Sequence, residues 1–157
     1  MLPNIQITSN RYGVNVLKKN MVVVLEDNLK TPAAAKRINQ ELSKALEKNL
    51  KTQGFTGKAR SVALIGPFGH NKIDHILALG IGKLKTMERA DWLHAGITLG
   101  HKLDTVGLKE ISIMLGEETG KATPLEAAEA MIEGIHMALY RHQDFLSKPK
   151  PACQVQK

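Results

Sequence analysis

The stretch 76-ILALGIGKLK-85 joins an apolar run of strand length to a glycine turn, and a helix is expected to open just beyond it at Thr86. Strand, glycine turn, lysine and helix are the parts of a phosphate-binding loop, in which backbone N–H groups converge on an anion. The details do not fit. Gly80-Ile81-Gly82-Lys83 lacks the earlier glycine and the following hydroxyl of G-x-x-x-x-G-K-[ST], and Lys85 stands where G-x-G-x-x-G needs its third glycine. Glycines at the end of a buried strand are read here as a chain reversal, and the stretch as a β-turn-α unit.

Working outward, 73-IDHILALG-80, 61-SVALIG-66, 21-MVVVLED-27, 110-EISIML-115 and the short Ile5–Thr8 read as strands. Between them lie three helical patterns. One opens at Thr31-Pro32 and runs to Lys51, with Ala35, Ile38, Leu42, Ala45, Leu46 and Leu50 inward. A second runs from Thr86 to Leu103 with Ala90, Leu93, Ile97, Gly100 and Leu103 inward, and ends at Gly107. Its Gly96 and Gly100 leave a smooth patch that another backbone could approach. The third starts at a capping box of Thr123 and Glu126 around Pro124. Its stripe is Ala128, Met131, Ile132, Ile135 and Leu139. Strands interleaved with helices, two of the strands nearly all apolar, predict a sheet covered on both faces. The fold expected is a three-layer α/β/α domain with a mixed, mainly parallel sheet.

At 157 residues, 43% apolar and 24% charged, the chain suits one globular domain. No apolar run approaches the ~18–20 residues of a membrane span, and the N-terminus has no secretory pattern. A cytoplasmic setting and no membrane partner are the expectation. One cysteine, Cys153, excludes an internal disulfide. The net charge of +7 lies entirely in residues 1–60, which carry 11 Lys+Arg and 4 Asp+Glu; the remainder balances at 11 and 11.

That excess points to one candidate binding face. Arg37, Lys44, Lys48 and Lys51 share a side of the helix from Pro32 and could track the phosphates of DNA. Glu41 interrupts the row, as in a solvated face with i,i+3 and i,i+4 ion pairs, and that reading is preferred. Asp91 with His94, and His101 with Asp104, have ligand-like spacing on one helix. Each is a pair where a catalytic zinc site needs three protein ligands, and H-E-x-x-H is absent. There is no G-x-S-x-G, and Cys153 stands apart from any helix start or paired histidine. No catalytic, cofactor-binding or metal-ligating residue is assigned.

The combination of segments carries more. The last helix, 127-AAEAMIEGIHMALYRHQDFLSKPK-150, resembles the helix that closes the N-terminal domain of the leucine aminopeptidase (cytosol aminopeptidase) family. The matching features are Glu133-Gly134, the apolar turn Ile135 to Leu139, Tyr140-Arg141 and the linker Ser147-Lys148-Pro149-Lys150; His142 replaces the usual aromatic. The strand ending in Gly80-Ile81-Gly82-Lys83 is similar to one in the same domain, where that turn is scaffold.

The resemblance implies a fold similar to macro domains. It also implies a division: residues 1–147 form the non-catalytic N-terminal domain, and 148–157 a linker toward a separate C-terminal catalytic domain. In that family the catalytic domain removes N-terminal residues such as leucine from peptides, using two divalent metal ions (Zn, Mn or Mg). Its signature N-T-D-A-E-G-R-L does not occur in this chain. Expected partners are that catalytic domain and the subunits of a homohexamer. DNA binding through the basic helix, and ADP-ribose or nucleotide binding by analogy with macro domains, are the alternatives.

Overall fold

The computed structural model describes residues 20–29, 46–66, 73–108 and 110–140. Among the described residues four strands, β1 (Asn20–Glu26), β2 (Ser61–Ile65), β3 (His75–Gly82) and β4 (Ser112–Met114), form one sheet in the order β2-β3-β1-β4. β1 lies parallel to both β3 and β4, and β2 runs antiparallel to β3. The sheet is thus mixed and mainly parallel. The expected strand at Ile5–Thr8 and the start of the first helix lie outside the described residues.

Alternation sorts the buried side chains into two cores, because successive residues of a strand face opposite sides. Val22 and Val24 of β1 and Leu77, Leu79 and Ile81 of β3 face one way. They meet α2 (Arg89–Val106) and α3 (Pro124–Leu139) through Trp92, Ala95, Leu99, Leu103, Met131 and Ile135. Met21, Val23, Leu25, Ile76 and Ala78 face the other way, onto Leu46 and Leu50 of α1 (described over 46–52) and onto Phe55. Helices therefore cover both faces, which makes three layers. Strands buried on both sides explain why β1 and β3 read as unbroken apolar runs.

The helix starts follow local capping chemistry. Thr123 accepts from the Glu126 amide at 3.3 Å, while the Glu126 carboxylate accepts from the Thr123 N–H at 2.8 Å. That box, with Pro124 as the first helical residue, was legible in the sequence. α2 begins later than expected. A 3-10 turn occupies Leu84–Thr86, and Glu88 becomes the N-cap. Asp91 then accepts from the Glu88 N–H at 2.9 Å in a second capping box, so this carboxylate has a local structural role.

The buried stripe of α2 also differs from expectation. Trp92, Ala95, Gly96, Leu99, Gly100 and Leu103 are buried, whereas Ala90 is exposed and Leu93 and Ile97 are half-buried. The true face is rotated by about a quarter turn. The reason is that α2 serves two neighbours: its leucines and Trp92 face the sheet, and its glycines face α3. A Cβ on Gly96 would lie 2.8 Å from the Met131 carbonyl carbon, and one on Gly100 2.6 Å from the Ala138 Cβ. The smooth patch does receive a close backbone, and that backbone is α3 of the same chain.

The Glu126 carboxylate is held below its ordinary value, first by the Thr123 N–H and then by the Thr123 hydroxyl. A depressed carboxylate stabilises the fold above its unfolded value, about pH 4.3, and that contribution fades as pH falls through the lower folded value. A Thr123→Ala chain is expected to lose about 1 kcal/mol at neutral pH. Alanine keeps the backbone N–H and removes only the hydroxyl, so the loss should be smaller near pH 3; an equal loss at both would disconnect the Thr123 hydroxyl from Glu126 ionisation. Urea titration followed by circular dichroism reads both.

Candidate functional site

In open α/β sheets ligands gather beyond the carboxyl ends of the parallel strands. Here that place is the end of the β1–β3 pair. Their register slips between Leu25 and Glu26, which pair with Gly80 and Gly82 and leave Ile81 as a bulge. Gly82 then turns the chain with φ +72°, a left-handed conformation that side-chain-bearing residues seldom adopt. A shallow depression of about 490 Å³ lies beside it, lined by Asp27, Lys58, Gly82, Lys83, Thr86 and Asp91 among others.

What this turn can do is limited by where its amides go. The Gly82 N–H donates to the Gly57 carbonyl at 3.0 Å, and the Thr86 N–H donates to the Lys83 carbonyl at 3.2 Å. A Cβ on Gly80 would lie 2.8 Å from the Gly57 carbonyl carbon, so the glycine makes room for the 57–61 loop. The lining adds two carboxylates to two lysines. The Gly82 donor turned onto the 57–61 loop, the Thr86 donor closed within its own turn and a charge-balanced lining suit a strand-to-helix joint.

The other sequence candidates separate in space or in role. Lys48 and Lys51 lie on α1, and Lys51 pairs with Glu47 one turn back at 2.6 Å, as a solvated face predicts. Arg37 and Lys44 lie outside the described residues. His94 and His101 are exposed on α2, and Asp91 is already engaged as a cap. Among the described residues no three His, Cys, Asp or Glu side chains are placed to hold a metal ion together. No helix among them is long and apolar enough to cross a membrane.

The structure adds interactions that the sequence reading missed. The Trp92 ring, buried on α2, donates from Nε1 to the Thr119 carbonyl at 3.1 Å and ties the loop before α3 to the core. Lys121 in the same loop reaches Glu88 at 2.6 Å, and hydrogen bonding to that carboxylate raises the lysine above its ordinary value. Arg89 joins α2 to α3 through Glu133 at 2.7 Å. Both ion pairs are exposed, so their weight is small beside the core. The lone tryptophan at helical spacing from Ala95, Leu99 and Leu103 was the available signal.

A mixed α/β sheet covered by helices on both faces is the class of domain this geometry defines. The family model for the N-terminal domain of the cytosol aminopeptidase family matches residues 21–149, and the chain belongs to that family. A probable cytosol aminopeptidase of Bradyrhizobium sp. is 28% identical over 131 residues, covering 83% of this chain and 26% of the relative. One of Rhodopseudomonas palustris is 24% identical over 131 residues, with the same coverage of 83% and 26%. The chain thus spans about a quarter of the length of the curated relatives it matches.

Among solved structures, a tomato leucine aminopeptidase mutant superposes with a TM-score of 0.75 at 14% identity, covering 99% of this chain and 32% of that one. The macrodomain of Mycobacterium tuberculosis DarG gives 0.67 at 10% identity, covering 86% of this chain and 91% of that one. The bottromycin maturation enzyme BotP in complex with Mn gives 0.59 at 14%, covering 88% and 25%. At these identities the likeness is one of fold, and it supports the macro-domain-like architecture.

Proposed function

We propose that this chain is the non-catalytic N-terminal domain of a metal-dependent leucyl aminopeptidase, a scaffold that shapes the surroundings of an active site carried elsewhere. The observation that carries the reading is one of proportion. Residues 21–149 match the N-terminal-domain family, and curated aminopeptidase relatives extend to nearly four times the matched length. In this reading residues 1–147 are the domain and 148–157 the linker. The two divalent metal ions belong to the catalytic domain; BotP in complex with Mn supports a metal in the full enzyme. The described residues of this chain offer no ligand set that fits such ions.

Leu125 and Met137, 64% and 57% exposed, stand near opposite ends of α3 and about 120° apart around it, so each is a single exposed apolar residue and not a patch. The neighbour in this reading is the catalytic domain or another subunit of a homohexamer. Gly96 and Gly100 do not receive it, since α3 fills them.

The test is an activity assay beside a size measurement. The purified chain with Mn²⁺ or Zn²⁺ and a leucine chromogenic amide is expected to give no turnover above the metal-only blank. An immunoblot of source cells should show a product several times heavier than 17.2 kDa. Metal-dependent hydrolysis by the chain alone would overturn the non-catalytic assignment, and a native product of the chain's own size would overturn the parent enzyme.

A further inference from the structure

We propose that Met137 is a reversible oxidation site, at which a peroxide turns the thioether into a sulfoxide while the core methionines stay reduced. Methionine is an unbranched apolar side chain that ordinarily fills gaps in a core. Met21 and Met131 do so at 1% exposure and Met87 at 5%, and Met114 is half-buried. Met137 is 57% exposed. The contrast exists within one helix. Met131 faces α2, where a Cβ on Gly96 would lie 2.8 Å from the Met131 Cα. Met137 comes six residues later on α3 and points about 120° away around the axis.

The chemistry needs only access to sulfur. A sulfur lone pair attacks one oxygen of hydrogen peroxide and the O–O bond breaks. The proton of the transferred hydroxyl passes to the departing hydroxide, which leaves as water. Sulfur is oxidised by two electrons and the peroxide is reduced by two. A buried methionine can react in this way only when the fold opens around it, and opening is rare for core elements. Met137 can react in the folded chain.

The surroundings also decide what the product does. At Met21 or Met131 a sulfoxide oxygen would be buried among apolar neighbours without a hydrogen-bond partner, which is costly. At Met137 the new oxygen is solvated, so the fold survives and the sulfoxide remains open to methionine sulfoxide reductases. Oxidation there replaces a flexible apolar group by a polar one on the outer side of α3 and leaves the core as it was.

The test treats the full chain with hydrogen peroxide for increasing times. Cleavage after glutamate, which at Glu133 separates Met131 from Met137, is followed by mass spectrometry of each methionine peptide. Met137 should be oxidised at least about tenfold faster than Met21, Met87 and Met131. The chain oxidised only there should keep its urea midpoint, and the two reductases, one for each sulfoxide epimer, should restore the thioether. Met137→Leu should remove the fast event and leave the slow ones unaltered. In concentrated urea the rates should converge. Oxidation of Met137 no faster than of the three buried methionines would overturn the proposal, as would a preference that survives unfolding. A lowered urea midpoint, or a sulfoxide that the reductases cannot reach in the folded chain, would make the event damage and overturn it as well.

Discussion

A Gly134→Val chain is expected to be largely unfolded in the absence of denaturant, or to unfold at a far lower urea concentration than the unaltered chain. At Gly134 an added Cβ would lie 2.8 Å from the Ile97 backbone nitrogen, and closer still to the Leu93 carbonyl oxygen. The obstacles are backbone atoms of a packed helix, which cannot rotate away as a side-chain tip can. Relief requires α2 and α3 to move apart. That would open the core cluster in which Trp92, Leu99, Met131 and Ile135 meet. Overpacking commonly costs about 1–3 kcal/mol, and a forced separation of two helices lies at or beyond the top of that range.

The sign is informative because the intrinsic term has the opposite sense. Replacing a mid-helix glycine by alanine ordinarily favours the helix by up to ~1 kcal/mol. Gly134→Ala and Gly96→Ala should nonetheless destabilise, since each new methyl meets a carbonyl of the partner helix. Gly66→Ala is the control: nothing lies within 4 Å of its added Cβ. A rise in the urea midpoint for Gly134→Ala would mean that the two helices do not cross at these glycines in solution.

Those glycines also show what a one-dimensional reading can and cannot reach. Gly96 and Gly100, four apart, were legible as a place of close approach because only glycine leaves a helix surface so low. The identity of the visitor was not legible, since the partner, Gly134, lies 34–38 positions further along in the sequence. The apolar runs of β1 and β3 announced a sheet buried on both sides, and the Thr123–Glu126 box announced α3 with its start. Local chemistry carries such signals. The stripe of α2 was misplaced because a helix wedged between a sheet and another helix buries a broad arc, and Leu93 and Ile97 lie only at its margin. The Gly80–Lys83 turn was read as a chain reversal from its missing motif positions, and it does turn the chain at Gly82. Its reason, the loop of residues 57–61 packed against it, is a tertiary fact.

A second large effect is expected at Trp92. This is the only tryptophan of the chain, 1% exposed, and its ring spans from the α2 core to the loop before α3. Trp92→Ala removes the largest side chain of that cluster, which commonly costs about 3–5 kcal/mol. It also strands the buried Thr119 carbonyl, and an orphaned acceptor adds about 1–3 kcal/mol. Against a total stability of about 5–15 kcal/mol for a domain, this single change consumes much or all of the margin. Trp92→Phe separates the two contributions, because it keeps an aromatic body and deletes the donor. Its loss should be smaller and largely local. The Lys121 N–H donates to the Met87 carbonyl at 2.9 Å, so amide exchange at Lys121 reads the attachment of the loop directly. Faster exchange there in Trp92→Phe, with the α3 amides little changed, is the expected result. If Lys121 keeps its protection in Trp92→Phe, the indole hydrogen bond does not hold the loop, and the ring matters for its volume alone. The consequence reaches α3, because the loop that Trp92 anchors ends at the Thr123 cap from which the helix starts.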